Sequence, residues 1–317
     1  MTPAEPRVLF VGAVQEGRRC LEALLAHGER FAGFVTLDPA LAASTSGWVP
    51  FDDLAADHGV PLITVRDLNT PENVARVADL RPDLILVIGW TRLLGPALLR
   101  LPPLGAIGFH ASLLPRYRGR APVNWALING ERETGNTMFF LDEGVDTGDV
   151  IAQRRIPILD ADDCATVYEK VSDAATSMLV EHLPVLKAGS APRIAQDERL
   201  ATVMPRRRPE EGVIDWTRDA RSLFNWVRAL THPYPGAFAT LEGRRLFVWK
   251  ASEVATASGV WETDRPKAGL LIAGPGDSVH VGTGEGLLRL DRVQWTGEAE
   301  QPGSALRPLT GAVLGEE

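Results

Sequence analysis

Cysteine is nearly absent from this chain of 317 residues: only Cys20 and Cys164 occur, each inside a helical-looking segment. Two thiols so placed make neither a disulfide framework nor a zinc ligand set, so free thiols in a reducing compartment are expected. Long apolar runs are missing as well. The longest, at residues 84–90, stops well short of the roughly 20 residues that a membrane-spanning helix needs, so no membrane partner is expected. The opening MTPAEPRVLFVG enters a strand pattern without a basic region, apolar core and cleavage site, which sets the expectation of a cytoplasmic protein. Positive charge is in deficit: 33 Lys+Arg stand against 41 Asp+Glu, and residues 201–317 alone hold 14 against 15. Neither part has the cationic balance that neutralising a phosphate backbone demands, so no nucleic-acid partner is expected. No constellation with metal-ligand spacing is visible, and no metal is expected.

The remaining composition, 45% hydrophobic and 23% charged, is that of a globular chain long enough for two domains. Residues 7–12 form a short apolar run ending in glycine, and apolar positions at Cys20, Leu21, Ala23, Leu24 and Leu25 make residues 16–27 an amphipathic helix. Strands follow at residues 34–37, 60–65 and 83–90, separated by helices at 51–58 and 70–80. In the latter, Thr70 stands at the N-cap and Pro71 at the first helical position. This alternation specifies an α/β domain with a mostly parallel, Rossmann-like sheet. The turn GAVQEG after the first strand is not GxGxxG, so a dinucleotide site is not supported. A long helix at 162–186 leads into a polar connector near residues 190–208. Beyond Leu241, apolar runs split by glycines (RRLFVWKA, GLLIAG, SVHVG, GLLRLDRVQW) read as hairpins of a small β-rich, barrel-like domain. Domains at 1–200 and 201–317 are expected, the first catalytic.

Residues 105–153 carry the chemistry. His110 follows a short strand at 105–109 and precedes a Pro- and Arg-rich loop. Asp146 lies 36 residues later, between Gly144 and Gly148, beyond a strand at 137–141. Glycines around an aspartate suit a tight turn that aims the carboxylate into a crevice, and a His with a carboxylate to orient it is a general acid–base pair. Taken alone, such a pair is more often structural than catalytic.

The surrounding motifs, His-x-Ser-Leu-Leu-Pro, Arg-x-Arg-Gly-Arg-Ala-Pro, Thr-Gly-x-Thr and Asp-x-Gly-Asp, resemble the folate-dependent formyltransferase family. RRRPEEGVIDW at 206–216 and RALTHPYPGAF at 228–238 extend the resemblance into the second domain, and RGRAPVNWALING looks closer to the nucleotide-sugar N-formyltransferase branch than to the tRNA branch. The resemblance implies transfer of a formyl group from 10-formyltetrahydrofolate to an amine. An amino sugar linked to a nucleotide comes first as acceptor, then a free or carrier-bound amino acid of secondary metabolism, with initiator tRNA third; a homodimer is compatible with it. It makes His110 and Asp146 the catalytic pair. It places Ile88, Gly89, Trp90, Leu93, Asp142 and Gly144 around the folate, and Arg116, Arg118 and Asn124 toward the acceptor.

One departure stands out. The family's Asn-x-His would put an oxyanion-stabilising asparagine two residues before His110, and this chain has Gly108 there. Another donor in its place, altered chemistry, or a non-catalytic or hydrolytic folate-binding relative are the readings that follow. Asn124 is one substitute. Asn136 is a second, but it starts the strand that ends near Asp142, and at about 3.3 Å per residue it should lie roughly 20 Å from that strand's far end. Trp90 reads equally as aromatic wall or core, and Arg118 equally as anion contact or brace. Arg92 reads as a solvated helix start, Ser112 as a turn hydroxyl, and Asp149 as structural. His27, His58, His182 and His280 read as surface residues, and His232 as a domain-junction residue.

Overall fold

The apolar runs at residues 8–11 and 84–87 become strands buried on both faces. The computed structural model describes residues 5–254 and 266–315. In chain order the elements are β1 (Val8–Val11), α1 (Gln15–Ala26), β2 (Phe31–Leu37), α2 (Asp52–His58), β3 (Leu62–Val65), α3 (Pro71–Asp79), β4 (Leu84–Val87), α4 (Pro96–Leu99) and β5 (Ala106–His110). Then come β6 (Arg118–Gly119), α5 (Pro122–Ile128), β7 (Glu133–Phe140), β8 (Val150–Pro157), α6 (Cys164–Lys187) and β9 (Val203–Met204). The main sheet has seven strands in the order β3-β2-β1-β4-β5-β7-β8. It is parallel from β3 through β5, and antiparallel where β7 pairs with β5 and β8.

Alternation along each strand divides the core in two. Val8, Phe10, Leu84, Leu86 and Ile107 pack with Leu21 and Leu24 of α1 and with Met178, Leu179 and Leu183 of α6. Leu9, Val11, Ile85, Val87 and Ala106 pack on the other face with Val77 of α3 and Leu98 of α4. The Thr70 hydroxyl accepts from the Asn73 amide and caps α3, while Gly59 at φ +61° closes α2. The apolar stretch at 83–90 yields only the four residues of β4, because Gly89 at φ +62° turns the chain out of the ladder.

Contact clustering separates two units, one built from Met1–Pro122, Glu133–Pro157 and Tyr168–Met204, the other from Val123–Arg132, Ile158–Val167 and Pro205–Glu317. The second holds α7 (Ala220–Leu230) and an antiparallel sheet. Its strands are β10 (Ala237–Leu241), β11 (Arg244–Glu253), β12 (Leu271–Ala273), β13 (Val279–Gly282), β14 (Leu287–Trp295) and β15 (Gln301–Pro302). The order is β10-β11-β14-β13-β12, with β15 on β14, so the β-rich, barrel-like expectation holds. The sheet begins one strand before the glycine-split runs. Glu242 and Gly243, at φ +50° and +73°, make the tight two-residue turn from β10 to β11. His280, expected at the surface, is 8% exposed. Both cysteines are free and buried. Among the described residues no helix is long and apolar enough to cross a membrane, and no group of three or more His, Cys, Asp or Glu is arranged to hold a metal.

Glu16 on α1 is an unusual polar insertion on a packed face. It meets the side-chain amide of Asn136, and burial lifts its carboxyl from 4.5 to about 7 against that hydrogen bond. The neighbouring groups are the Cys20 thiol, itself pushed up to about 12 by burial and by Glu16, the Thr176 hydroxyl that meets it, and Arg19. The folded protein therefore holds the Glu16 proton more tightly than the unfolded chain does. Stability should fall as pH rises from about 4.5 to about 7 and level off above. Glu16→Gln should remove that slope, leaving a melting temperature that changes less than that of the unsubstituted protein across this window. Identical slopes in both proteins would show that folding does not raise the Glu16 carboxyl.

Candidate functional site

Alternation along β5 sends Ala106, Gly108 and His110 to one face of the sheet and Ile107 and Phe109 to the other. His110, 8% exposed, closes the strand. Its Nε2 lies 2.7 Å from the Tyr117 carbonyl oxygen. A carbonyl only accepts, so Nε2 carries a proton and Nδ1 is left with the lone pair in the neutral ring. Nδ1 faces Asp146 Oδ2 at 3.5 Å, and that same oxygen accepts from the Gly119 amide at 2.8 Å. The two residues that the sequence singles out are thus brought together, within one unit.

The turn that carries Asp146 works differently from the expectation. Its left-handed residue is Asp146 itself, at φ +55°, and not either flanking glycine. Gly148 is needed for space instead, since a Cβ there would run into the Phe140 carbonyl oxygen. Asp142, exposed, ties the turn by accepting from the Gly144 amide at 3.1 Å and the Thr147 hydroxyl at 2.7 Å. Asp149 lies 3.7 Å from Arg193.

After β4, Ile88 is core, 1% exposed. Gly89 accepts from the Ala13 amide at 3.1 Å, and Leu93 stands 65% exposed. Trp90, like Leu94 and Leu141, packs against the α3-side core, with its indole Nε1 buried and without a partner.

The arginines separate. Arg118 is 4% exposed. It forks onto Glu198 at 2.9 and 2.7 Å and onto the Gln196 side-chain oxygen at 3.2 and 2.8 Å. Of the two readings of Arg118, the brace is the one for which it has partners. Arg116 and Arg120 are exposed, and Arg120 reaches the Thr91 carbonyl at 3.4 Å; Arg92 is exposed too. The Ser112 hydroxyl donates to the Arg116 carbonyl at 2.6 Å, a turn contact. Asn124 belongs to the second unit, where its amide donates to the Ala229 carbonyl at 2.6 Å and its Oδ1 is buried without a partner.

Two points concern the missing asparagine. The register pairs Thr137 with His110, so strand length is not what separates Asn136 from the site. Asn136 instead points to the opposite face, donating to the Val171 carbonyl on α6 at 3.0 Å. The space beside Gly108 is also taken. A Cβ there would stand 2.6 Å from Leu141 Cδ2 and 3.2 Å from its Cγ, so an apolar side chain fills the place where residue 108 would extend one.

Sequence reasoning missed Tyr117, Gln196, Glu198, Thr202 and Leu141. The first acts through its main chain, and the next three sit in a polar connector with no period to mark them.

Residues 40–183 match the family described as formyl transferase, and residues 207–307 match its C-terminal domain. The methionyl-tRNA formyltransferase of Geobacter metallireducens is 37% identical over 292 residues, covering 92% of this chain and 91% of its own length. That of Citrifermentans bemidjiense is 35% identical, covering 98% and 97%. Among solved structures, the N-formyltransferase of Helicobacter canadensis in complex with folinic acid and dTDP-3-aminofucose gives a TM-score of 0.68 at 14% identity, over 90% of this chain and 98% of that one. At that identity the likeness speaks for the fold alone.

Gly108→Asn should force the flexible end of Leu141 aside and destabilise the protein by about 1–3 kcal/mol, the usual cost of overpacking. Adding Leu141→Ala should recover part of that loss, so the pair is non-additive in a denaturant titration. Strictly additive midpoints would show that the two positions do not share the space.

Proposed function

The chain belongs to the formyl transferase family of one-carbon transferases, and from that premise we propose that it moves the formyl group of 10-formyltetrahydrofolate to the amine of a small anionic acceptor, a nucleotide-linked amino sugar before others. The donor supplies the formyl carbon. The end of β4 and the loop after β7 suit an aromatic bicycle with a polar edge. They offer Leu93 and Val145, 65% and 47% exposed, and Trp90 behind them. Ile88, Gly89, Asp142 and Gly144 complete the proposed donor-binding set.

In this reading His110 takes the proton released by the attacking amine at Nδ1, the ring nitrogen with the lone pair. The ring then carries the positive charge, which the Asp146 carboxylate 3.5 Å away offsets. Gly108 offers no side-chain amide to the developing oxyanion, and Leu141 walls that side. Stabilisation then falls to main-chain N–H groups and to the protonated His110. Holding both substrates together supplies much of the acceleration.

The observation that carries the choice of acceptor is the neutralised charge of the second unit. Four of its arginines are spent on carboxylates: Arg221 on Asp160 and Glu253, Arg244 on Glu298, Arg289 on Asp291, Arg292 on Glu300. Arg207 lies between the rings of Trp125 and Trp226, at 5.2 and 4.6 Å. Residues 201–317, with 14 Lys+Arg against 15 Asp+Glu, have no cationic excess for an RNA backbone, whereas a diphosphate asks for only a few cations, of which Arg116 and Arg120 are exposed. The methionyl-tRNA formyltransferases among its relatives favour initiator tRNA as the second reading. A free or carrier-bound amino acid is the third.

The test is release of tetrahydrofolate from 10-formyltetrahydrofolate with nucleotide-linked amino sugars, amino acids and methionyl-tRNA offered in parallel. Turnover with an amino sugar and none with charged tRNA is the expected result, and the reverse would replace the first reading with the second. Formyl loss without any amine would make the protein a hydrolase. His110→Ala and Asp146→Asn should each lower turnover by about 10²-fold or more while leaving far-ultraviolet circular dichroism unchanged. Unchanged rates would remove both from the reaction.

A further inference from the structure

We infer that Arg118, Gln196 and Glu198 form a latch that sets the proton arrangement of the His110–Asp146 pair, acting through the three-residue strap Tyr117–Arg118–Gly119. The inference rests on the formyl-transfer reading only for its consequence in turnover; the latch itself is geometric.

Both members of the pair are held from this strap. The Tyr117 carbonyl accepts a hydrogen bond from His110 Nε2–H at 2.7 Å, and the Gly119 amide donates to Asp146 Oδ2 at 2.8 Å. Arg118 lies between the two. Its side chain is tied to the connector after α6, so the strap cannot shift along β5 without pulling a nearly buried cation from its partners. The connector reinforces this through the main chain: the Tyr117 amide donates to the Thr202 hydroxyl at 2.8 Å, and the Arg118 amide to the Thr202 carbonyl at 2.8 Å.

Gln196 closes the circuit. Its side-chain oxygen accepts from Arg118, while its amide donates to the main-chain carbonyls of Asp146, at 2.9 Å, and Gly148, at 2.8 Å. One glutamine therefore couples the strap beneath His110 to the turn beneath Asp146.

Backbone conformation points the same way. Tyr117 and Asp146 both adopt left-handed conformations, φ +60° and +55°, which side-chain-bearing residues rarely hold. Each costs on the order of 1 kcal/mol and persists only where the surroundings over-determine it. Their carbonyls are the very groups that His110 and Gln196 grip. With Nε2 committed to a carbonyl that cannot move, the imidazole is confined to the Nε2–H form, and Nδ1 is the nitrogen that exchanges a proton beside Asp146. Gln196, Arg118 and Glu198 are positioning residues.

The test is the ring-nitrogen spectrum of protein labelled with ¹⁵N-histidine, read with kinetics and melting temperature. In the unsubstituted protein His110, assigned by its loss in His110→Ala, should show one tautomer protonated at Nε2. Gln196→Leu, which keeps the bulk and removes the amide, and Glu198→Gln, at a side chain 67% exposed, should both fold. In both, His110 should pass to a mixture of tautomers. In Gln196→Leu, kcat should fall by about 10- to 100-fold, the cost of a misplaced reacting group, with KM for 10-formyltetrahydrofolate unchanged and the kcat–pH profile displaced. Glu198→Asp should restore most of what Glu198→Gln loses. A folded Gln196→Leu protein with the unsubstituted tautomer overturns the latch whatever its activity. Absence of formyl transfer in the unsubstituted protein would instead sink the functional proposal, with the spectrum still deciding the latch.

Discussion

The Arg118 guanidinium lies almost entirely out of water, 4% exposed, and a charge so placed is tolerated only when its donors are met. Glu198 supplies the opposite charge in a two-pronged contact, and Gln196 supplies a neutral acceptor. The carboxylate keeps most of its hydration, because its own side chain is 67% exposed, and Arg118 holds it below the usual carboxylate range. The pair therefore escapes much of the desolvation that makes fully buried ion pairs poor stabilisers. What it contributes is location. A planar cation with several donors fixes a backbone segment more tightly than an apolar side chain of equal volume, since each donor has one direction in which it is satisfied. Residues 117 and 119, on either side, inherit that precision.

The β-sheet supplies the complementary constraint. β5 is parallel to β4 on one edge and antiparallel to β7 on the other, so His110 stands where the sheet changes sense. The loop after β7 leaves beside the start of β5, where the Leu141 amide meets the Ala106 carbonyl at 2.8 Å, and must travel along the face to reach His110 at the strand's end. This explains why the loop is long, why it needs Gly148 against the Phe140 carbonyl, and why Leu141 lies over Gly108. The Asp146 turn and the apolar wall are two stops on one path across the sheet.

Period and punctuation carry most of the α/β architecture. The four-residue apolar repeats of β1 and β4 fill both cores, and Thr70 and Gly59 bound their helices as the local rules require. His110 and Asp146 are legible through the motifs around them. The latch is not. Gln196, Glu198 and Thr202 lie some 80 residues beyond the strap they hold, in a segment whose polarity looks like that of any linker. Tyr117 contributes a carbonyl, which no side-chain pattern encodes, and its left-handed backbone lacks the glycine that would advertise it. Asn136 shows the converse error. Counting residues along one strand suggests distance, whereas antiparallel pairing brings its neighbour Thr137 level with His110, and only the alternation of faces sends Asn136 elsewhere.

Gly108 and the latch bear on each other. An oxyanion donor on residue 108 would divide the work at the site, one group for the developing negative charge and another for the proton. With an apolar wall beside Gly108, the proposed reaction leaves both tasks near a single imidazole. Such a site tolerates little freedom in that ring: if Nε2 and Nδ1 exchanged roles, the proton acceptor and the charge beside Asp146 would separate. Preorganised dipoles stabilise a transition state only if they need not reorient as charge develops. A ring fixed at Nε2 by a main-chain carbonyl, beside a carboxylate fixed by a main-chain amide, meets that condition. The loss of one polar group at residue 108 thereby raises what the remaining pair must do, and the connector supplies the rigidity with which it can do it.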